Sequence, residues 1–598
     1  MRKAFYKIFY IISIIYPIVA GILLINNKDE MVINLYNNSF VINFSSENKL
    51  IALAFIVVTL ATNLYAISKN RKFEVLIGSL YSASSLVCLF AGDFVSMFAS
   101  LEMMMIFAAL LIFYGNYKNS VRAARQYLLT HLISGSLILI GISYIITHTS
   151  SSQIISLTLL TENQEAGFIF YALILCGCLI NVASIPFSGW IVNCYPFASS
   201  SGMIYLTSFT SKISIIILLK LFSGLEILKF FGLLMIIYGG VYACLEDNIK
   251  RLVGYLTISQ LGFMLIAIGT KSQQANLGII VFLFVHILYK ALFGLYVAIL
   301  IDKENIENCS EIKGIYSPKN HLLFVSLIVS VLFIIALPPF ASFVTKIVVT
   351  NALDQDINYY AIFLLKIVTC IALFSTVKYK YDGTMSFLRR QESKEIDRKD
   401  VLDILDPCLR RDDIRESRGD ITTHNRDDTG SSINLLHRIE VRLNILTRVS
   451  LFVMLSFLLV TSFCLEESLK LVWSSYPVEI IDTNWLDLVK QMVIIVIGII
   501  FALVLSKTIS RRSTANINLD LFQFVENNIR RIYFKYNLVV QDFYDKIEAD
   551  YPIFDRIEKS TLRKMKSWHN QSTGLLVVMI LLIIFTILLI TSSRGELK

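Results

Sequence analysis

Residues 279–300 read IIVFLFVHILYKALFGLYVAIL. A helix needs about 20 predominantly apolar residues to cross a ~30 Å hydrocarbon core, and this stretch is long enough. It is apolar on every side, whereas a transmembrane β-strand alternates polar and apolar residues over about ten positions. The stretch therefore reads as a membrane helix. His286 and Lys290 interrupt the hydrocarbon one helical turn apart. A charged group at bilayer depth costs roughly 2.5–3.5 kcal/mol even on the lenient insertion scale, so such residues point to an ion or proton path.

The rest of the chain repeats the pattern. Of its 598 residues, 55% are hydrophobic and 17% charged, and the mean hydropathy is +0.65. Runs such as LLVVMILLIIFTILLI (575–590) recur along it. The length criterion gives about 15 candidate spans: 4–26, 49–69, 74–92, 94–114, 124–147, 166–186, 203–222, 228–245, 251–269, 276–301, 321–352, 359–378, 448–465, 487–506 and 573–592. The run 321–352 is too long for one straight span and holds Pro338-Pro339 at its middle, which predicts a broken helix or re-entrant segment. The expected fold is an all-α polytopic membrane protein of about 14 to 15 helices. Its parts are N-terminal helices (1–74), a core (75–378), a hydrophilic insertion (385–447), C-terminal helices (448–506), an amphipathic segment (507–572) and a terminal helix (573–598).

Lys and Arg in short loops set orientation. Arg2-Lys3, then Lys69, Arg71 and Lys72, then Lys118, Arg122 and Arg125, then Lys250-Arg251 fall on one side of these spans, which is read as the cytoplasm. The opposite loops 27–48, 148–165 and 466–486 are neutral or acidic. The net charge of +9 is thus topological and makes no case for nucleic acid. The first span, after MRKAFYK, lacks a small-residue cleavage pattern and is read as retained. Six of the nine cysteines, Cys88, Cys176, Cys178, Cys244, Cys370 and Cys464, lie in or beside spans, where a thiol acts as a small apolar filler. Cys176-Gly177-Cys178 has no nearby histidine or second pair, so a metal site is not expected. No Walker loop, dinucleotide fingerprint, haem or iron-sulfur pattern is present, and no cofactor is expected.

Two hydrophilic stretches interrupt the spans. Residues 385–447 are dense in Arg and Asp and poor in aromatics, so they cannot bury enough apolar surface to fold alone and are expected to be disordered, with 386–430 dispensable. Their FLRRQES and DPCLRRDD phrases resemble translated palindromic repeats that insert into bacterial genes. Residues 507–572 space aromatics among charges in helical fashion. They are read as lying along the membrane face, docking on a partner, or forming plain cytoplasmic helices.

The ionisable groups inside the spans are Glu102, Lys212, His286, Lys290 and Lys346, the last just after the Pro-Pro break. Burial disfavours the charged form of any such group, so a carboxylate, lysines and a histidine in series can take and release protons. The broken helix adds unwound backbone and water to a dry interior. Each residue also has a plainer reading. Glu102 could satisfy a buried helix contact, Lys220 and Lys290 could snorkel to the interface, Lys346 could balance a nearby acid, and His131 in YLLTHLISGS could be a packing histidine outside the core site. Lys366 is a further mid-span lysine.

These residues stand in phrases that resemble a family: LEMMMI around Glu102, SIPFSGWIVNCYPFASSSGMIYLTSFTSK ending at Lys212, LEDNIKRLVGYLTISQLGFM with Asp247, Lys250 and Ser259-Gln260, HILYKALFGL with His286 and Lys290, and LPPFASFVTK ending at Lys346. Over residues 75 to 350 or so the chain is similar to the antiporter-like, proton-conducting membrane subunits shared by respiratory complex I and the Mrp-type cation/proton antiporters, with the Mrp D subunit as the nearest match. The resemblance implies that 75–378 is a proton-translocation core, that Glu102 pairs with a lysine in a neighbouring broken helix, that Lys212, Lys250, His286 and Lys290 belong to a hydrophilic axis, and that Lys346 communicates with one membrane face. One departure matters. The family's paired lysine lies five residues before the proline of a P-x-x-x-W phrase, here PFSGW, and that position is Asn181. Asparagine carries no proton, which leaves Lys212 as a replacement partner. Ser342 is a minor change after the Pro-Pro phrase.

The function expected is proton translocation, with Na+ in exchange, by a subunit of a multisubunit antiporter in a bacterial inner membrane. Its partners are other subunits, lipid, protons and Na+. The alternatives are a proton-pumping subunit of NADH:quinone oxidoreductase and, from Asn181, a degenerate structural subunit. Neighbouring genes separate the three.

Overall fold

The computed structural model describes residues 2–351 apart from 27–29, 36–37, 116, 158–166, 271 and 312–320, then residues 443–465, residue 369 and parts of 489–500. All lie in one compact unit, Met1–Asp520. Lys366 and nearly all of span 359–378, the insertion up to residue 442, most of span 487–506, the amphipathic segment 507–572 and the terminal span lie outside the described residues.

The helices, in chain order, are α1 (Arg2–Asn26), α2 (Ser46–Ser68), α3 (Lys72–Phe90), α4 (Phe94–Phe113), α5 (Ser120–Thr149), α6 (Phe168–Asn181), α7 (Gly189–Cys194), α8 (Ser200–Ser208), α9 (Thr210–Phe222), α10 (Ile227–Leu245), α11 (Ile249–Ile268), α12 (Gln273–Glu304), α13 (His321–Ile335), α14 (Ala341–Asn351) and α15 (Ile445–Phe463). Among the described residues nine helical spans are long and apolar enough to cross a membrane, with α8 and α9 taken together as one. The polytopic helical architecture is as expected. One element was not expected: the neutral loop 27–48 holds a two-stranded antiparallel hairpin, β1 (Glu30–Leu35) and β2 (Asn38–Asn43), with Glu30 opposite Asn43. Gly92 N donates to Val41 O, and Val41 N donates to the Asp93 carboxylate, which also caps α4 by accepting from Ser96 N. The hairpin is thereby stitched to the start of α4.

The most ionisable helices are the innermost ones. In its most apolar window α11 is entirely buried, and α8–α9 and α12 are 94% buried. A helix apolar all round belongs inside a bundle, and polar residues there face protein and not lipid. α10 and α11 approach closely where Gly232 and Gly262 meet. A Cβ on Gly232 would sit 2.5 Å from Gly262 O, and a Cβ on Gly262 would sit 2.5 Å from Gly232 O. Only small residues allow two membrane helices this contact.

Three interruptions open the interior. The Pro-Pro break is as expected: α13 ends at Ile335, Ala336 takes a left-handed φ of 61°, and α14 starts at Ala341. A matching break appears inside the expected span 166–186, where α6 stops at Asn181, Ala183 also has φ of 61°, and Pro186 follows. Both carry the pattern A-x-x-P-F, at Ala183–Phe187 and Ala336–Phe340. The proline has no N–H to continue a helix. The expected span 203–222 is also two helices, parted at Phe209.

The basic loops gather at one end, as the charge count anticipated. Asp302, at the end of α12, accepts from Arg71 Nη2 at 2.8 Å, Tyr65 Oη at 2.7 Å and Ser200 Oγ at 2.7 Å, and Lys69 Nζ lies 3.7 Å away. Lys69 is only partly buried, and that burial lowers its pKa against the opposing pull of Asp302.

Candidate functional site

Glu102 projects from α4 onto α5, where a Cβ on Gly135 would collide with its carboxylate. Residues 98, 101, 102 and 105 share one face of α4 at helical spacing. That face and its neighbours enclose a cavity of about 20 Å³, lined among others by Glu102, Tyr127, His131, Asn181 and Thr210. The acid and the lysine-equivalent position are therefore neighbours, and Asn181 Oδ1 is buried without a hydrogen-bond partner among the described residues.

Lys212 is fully buried just after the Phe209 break. Its ammonium donates back to the carbonyl of Thr207 and to Ser211 Oγ. Breaking a helix orphans carbonyls in the preceding turn, and the lysine satisfies one of them. Lys212 does not line the Glu102 cavity, so the expectation that it replaces the missing lysine is not met by this arrangement.

α12 carries the centre of the axis. Tyr289 Oη donates to Gln260 Oε1 at 3.2 Å and lies 3.1 Å from His286 Nδ1. His286 and Lys290 are fully buried, and neither His286 Nε2 nor Lys290 Nζ has a hydrogen-bond partner among the described residues. Lys212, Lys290 and Lys346 all lie within electrostatic reach of His286. Three ammonium groups and an imidazole so placed cannot all be charged without strong mutual repulsion, so protonation of one discourages protonation of the next. Lys346 Nζ donates to Ile334 O at 3.2 Å, a carbonyl just before the Pro-Pro break, and lies 5.6 Å from the Phe282 ring.

Lys250 stands apart from this row. At the start of α11 its ammonium donates to Tyr117 Oη, Pro196 O and Ala198 O, each at 2.9 Å, and so ties the segment between α7 and α8 to the basic end. Ser259 Oγ donates to Ile236 O at 3.3 Å. Lys290 is too deep to snorkel. Lys220 donates to Leu89 O at 3.0 Å and lines, with Glu47, a cavity of about 320 Å³ at the end opposite the basic loops. Sequence reasoning passed over Asp302, Glu74 and the buried Glu246–Arg251 ion pair at 2.9 Å, because acids near span ends look like ordinary loop residues. Acids lying next to basic loop clusters were the available signal. Ser342 is buried one turn before Lys346, and its hydroxyl has no hydrogen-bond partner among the described residues. Among the described residues no His, Cys, Asp and Glu cluster has the grouping of a metal site.

Residues 91–375 match the family described as NADH:quinone oxidoreductase/Mrp antiporter, TM. This core, just under half of the chain, is similar to the antiporter-like membrane subunits of complex I and Mrp complexes. Curated relatives include NADH-quinone oxidoreductase subunit N of Francisella tularensis, 26% identical over 364 residues, covering 56% of this chain and 74% of the relative. The subunit N of Pelagibacter ubique is 25% identical over 382 residues, covering 60% and 80%. Among solved structures, a chain of the Mrp complex from Dietzia sp. DQ12-45-1b aligns with a TM-score of 0.61 at 18% identity, over 78% of this chain and 90% of that one. A chain of the membrane-bound sulfane sulfur reductase, an archaeal respiratory membrane complex, aligns at 0.57 and 16% identity, over 63% and 83%. These structures share the fold. The antiporter-like family is thus a family of subunits within larger membrane complexes, and a proton-translocating membrane subunit is the coarse reading that follows.

Proposed function

We propose that this chain translocates protons as a membrane subunit of a respiratory NADH:quinone oxidoreductase, in the position of subunit N. The choice of complex follows the names of the curated relatives, and it displaces the Mrp D subunit that the sequence phrases suggested first. The observation that carries the translocation itself is the buried row Lys212, His286, Lys290 and Lys346, in which His286 and Lys290 each lie within electrostatic reach of Lys212 and Lys346. Such a row is costly to bury and gains nothing for packing alone. Protons arriving at one member lower the proton affinity of the next by repulsion, so charge is passed along instead of accumulating. Glu102 is the acidic entry group, Lys346 the terminal group at the Pro-Pro break, and Lys250 an anchor of the basic, cytoplasmic end in a bacterial inner membrane.

The test uses inverted membrane vesicles with a pH-sensitive dye and NADH as fuel. NADH-driven acidification that is lost in Glu102→Gln and Lys290→Ala, with the complex still assembled, supports the reading. Acidification that needs Na+ and no NADH favours the Mrp-type alternative, which the fold of the Dietzia chain keeps in view. Wild-type transport in both variants leaves a structural subunit.

A further inference from the structure

We propose that His131 is the proton-exchange partner of Glu102, filling the chemical role left open by Asn181; the proposal rests on the translocation reading above. His131 lies on α5, one helical turn before the Gly135 that supports the Glu102 carboxylate. Its ring is 5% exposed, stacked on Tyr127 with centroids 4.0 Å apart and edge-on to Trp190 at 4.7 Å. Nδ1 is 3.0 Å from Tyr127 O. A carbonyl only accepts, so Nδ1 carries the hydrogen, and in the neutral ring Nε2 is left as a bare acceptor. That Nε2 is buried without a partner among the described residues.

One space is thus lined by Glu102, Asn181 and His131, and Asn181 Oδ1 and His131 Nε2 are both buried acceptors without a partner among the described residues. The cavity of about 20 Å³ has room for roughly one water. With a single proton shared between carboxyl and imidazole, directly or across that water, whichever group holds the proton donates to the other. In the exchange the O–H bond of the Glu102 carboxylic acid breaks and an N–H bond forms at Nε2, giving carboxylate and imidazolium; the reverse step returns the proton. No other bond changes. The remaining titratable groups close by are Tyr127 on the same helix, Tyr195 and Cys194 from the segment beyond the α6 break, and Tyr81 of α3, whose hydroxyl meets Thr210. α6 brings only Asn181 and α9 only Thr210 to the cavity, so Glu102 is the one carboxylate among its lining residues.

His131→Gln and Asn181→Lys separate the possibilities. In vesicles His131→Gln should lose transport by about a hundredfold, the low end of what a positioned acid–base group supplies, with assembly and melting temperature near wild type. Adding Asn181→Lys to His131→Gln should restore transport, since a lysine then faces Glu102. Infrared difference spectra should show a protonated carboxyl band that vanishes in Glu102→Gln and shifts in His131→Gln. Wild-type transport in His131→Gln alongside loss in Glu102→Gln would mean the histidine only packs, and an unshifted Glu102 band overturns the pairing. Wild-type transport in both variants would instead bring down the translocation reading.

Discussion

The Glu102 carboxylate rests on the bare Cα of Gly135, and this contact aims the acid at the cavity it shares with His131 and Asn181. The acid's position is set by what α5 lacks. A side chain there would fill the space the carboxylate occupies.

Gly135→Ala should therefore act on function more than on folding. Alanine gains up to about 1 kcal/mol of helix propensity over glycine, while its methyl displaces the carboxylate from the cavity. Transport in vesicles is expected to fall at least tenfold while the protein assembles and melts normally. Unchanged transport would show that the acid tolerates another position.

Lys346 donates to a carbonyl at the Pro-Pro break, where a proton carrier and a charge-balancing group would look alike. Lys346→Arg tells them apart, because arginine keeps its charge and does not release its proton. Loss of proton movement with normal assembly is the expected result. Near-normal proton movement would make Lys346 a structural cation.

Tyr289 joins Gln260 to His286. Tyr289→Phe removes both hydrogen bonds and leaves one buried acceptor, Gln260 Oε1, and one buried donor, the His286 Nδ1–H, behind, at a cost of about 1–3 kcal/mol each. A lower melting temperature and slower transport are expected together. If transport per assembled complex is unchanged, the tyrosine merely fastens α11 to α12.

Asp302 gathers Arg71, Lys69, Tyr65 and Ser200 at the basic end. This network is only partly buried, and a hydrogen bond to a charged group is worth about 1.5–3 kcal/mol. Asp302→Asn should depress thermal stability by that order in detergent and sparing transport in whatever assembles. A variant as stable as wild type would mean that solvent already screens the network.

Several features were legible in the sequence. Hydropathy located nearly every described membrane helix, since crossing hydrocarbon demands length and apolarity wherever the helix packs. The Pro-Pro break and the gathering of basic loops at one end followed from local chemistry, and the buried row from charged residues set in apolar runs. The breaks at Ala183 and Phe209 were not read from the sequence, because the apolar runs before and after each are together long enough to pass for one span, although Pro186 and the polar residues Thr207, Ser208, Thr210 and Ser211 stand at them. The β-hairpin was missed because a short exposed strand pair carries little hydropathy signal. His131 was set aside as a packing residue, and Lys212 was favoured as the partner of Glu102, because sequence order says nothing about which faces of which helices converge. That convergence depends on the Gly135 contact, on the Tyr127 carbonyl that fixes the imidazole, and on the α6 break that ends at Asn181. Composition and spacing determine that the chain is a membrane helix bundle with ionisable groups inside it; packing alone decides which of those groups meet, because a proton passes only between atoms brought within hydrogen-bond reach.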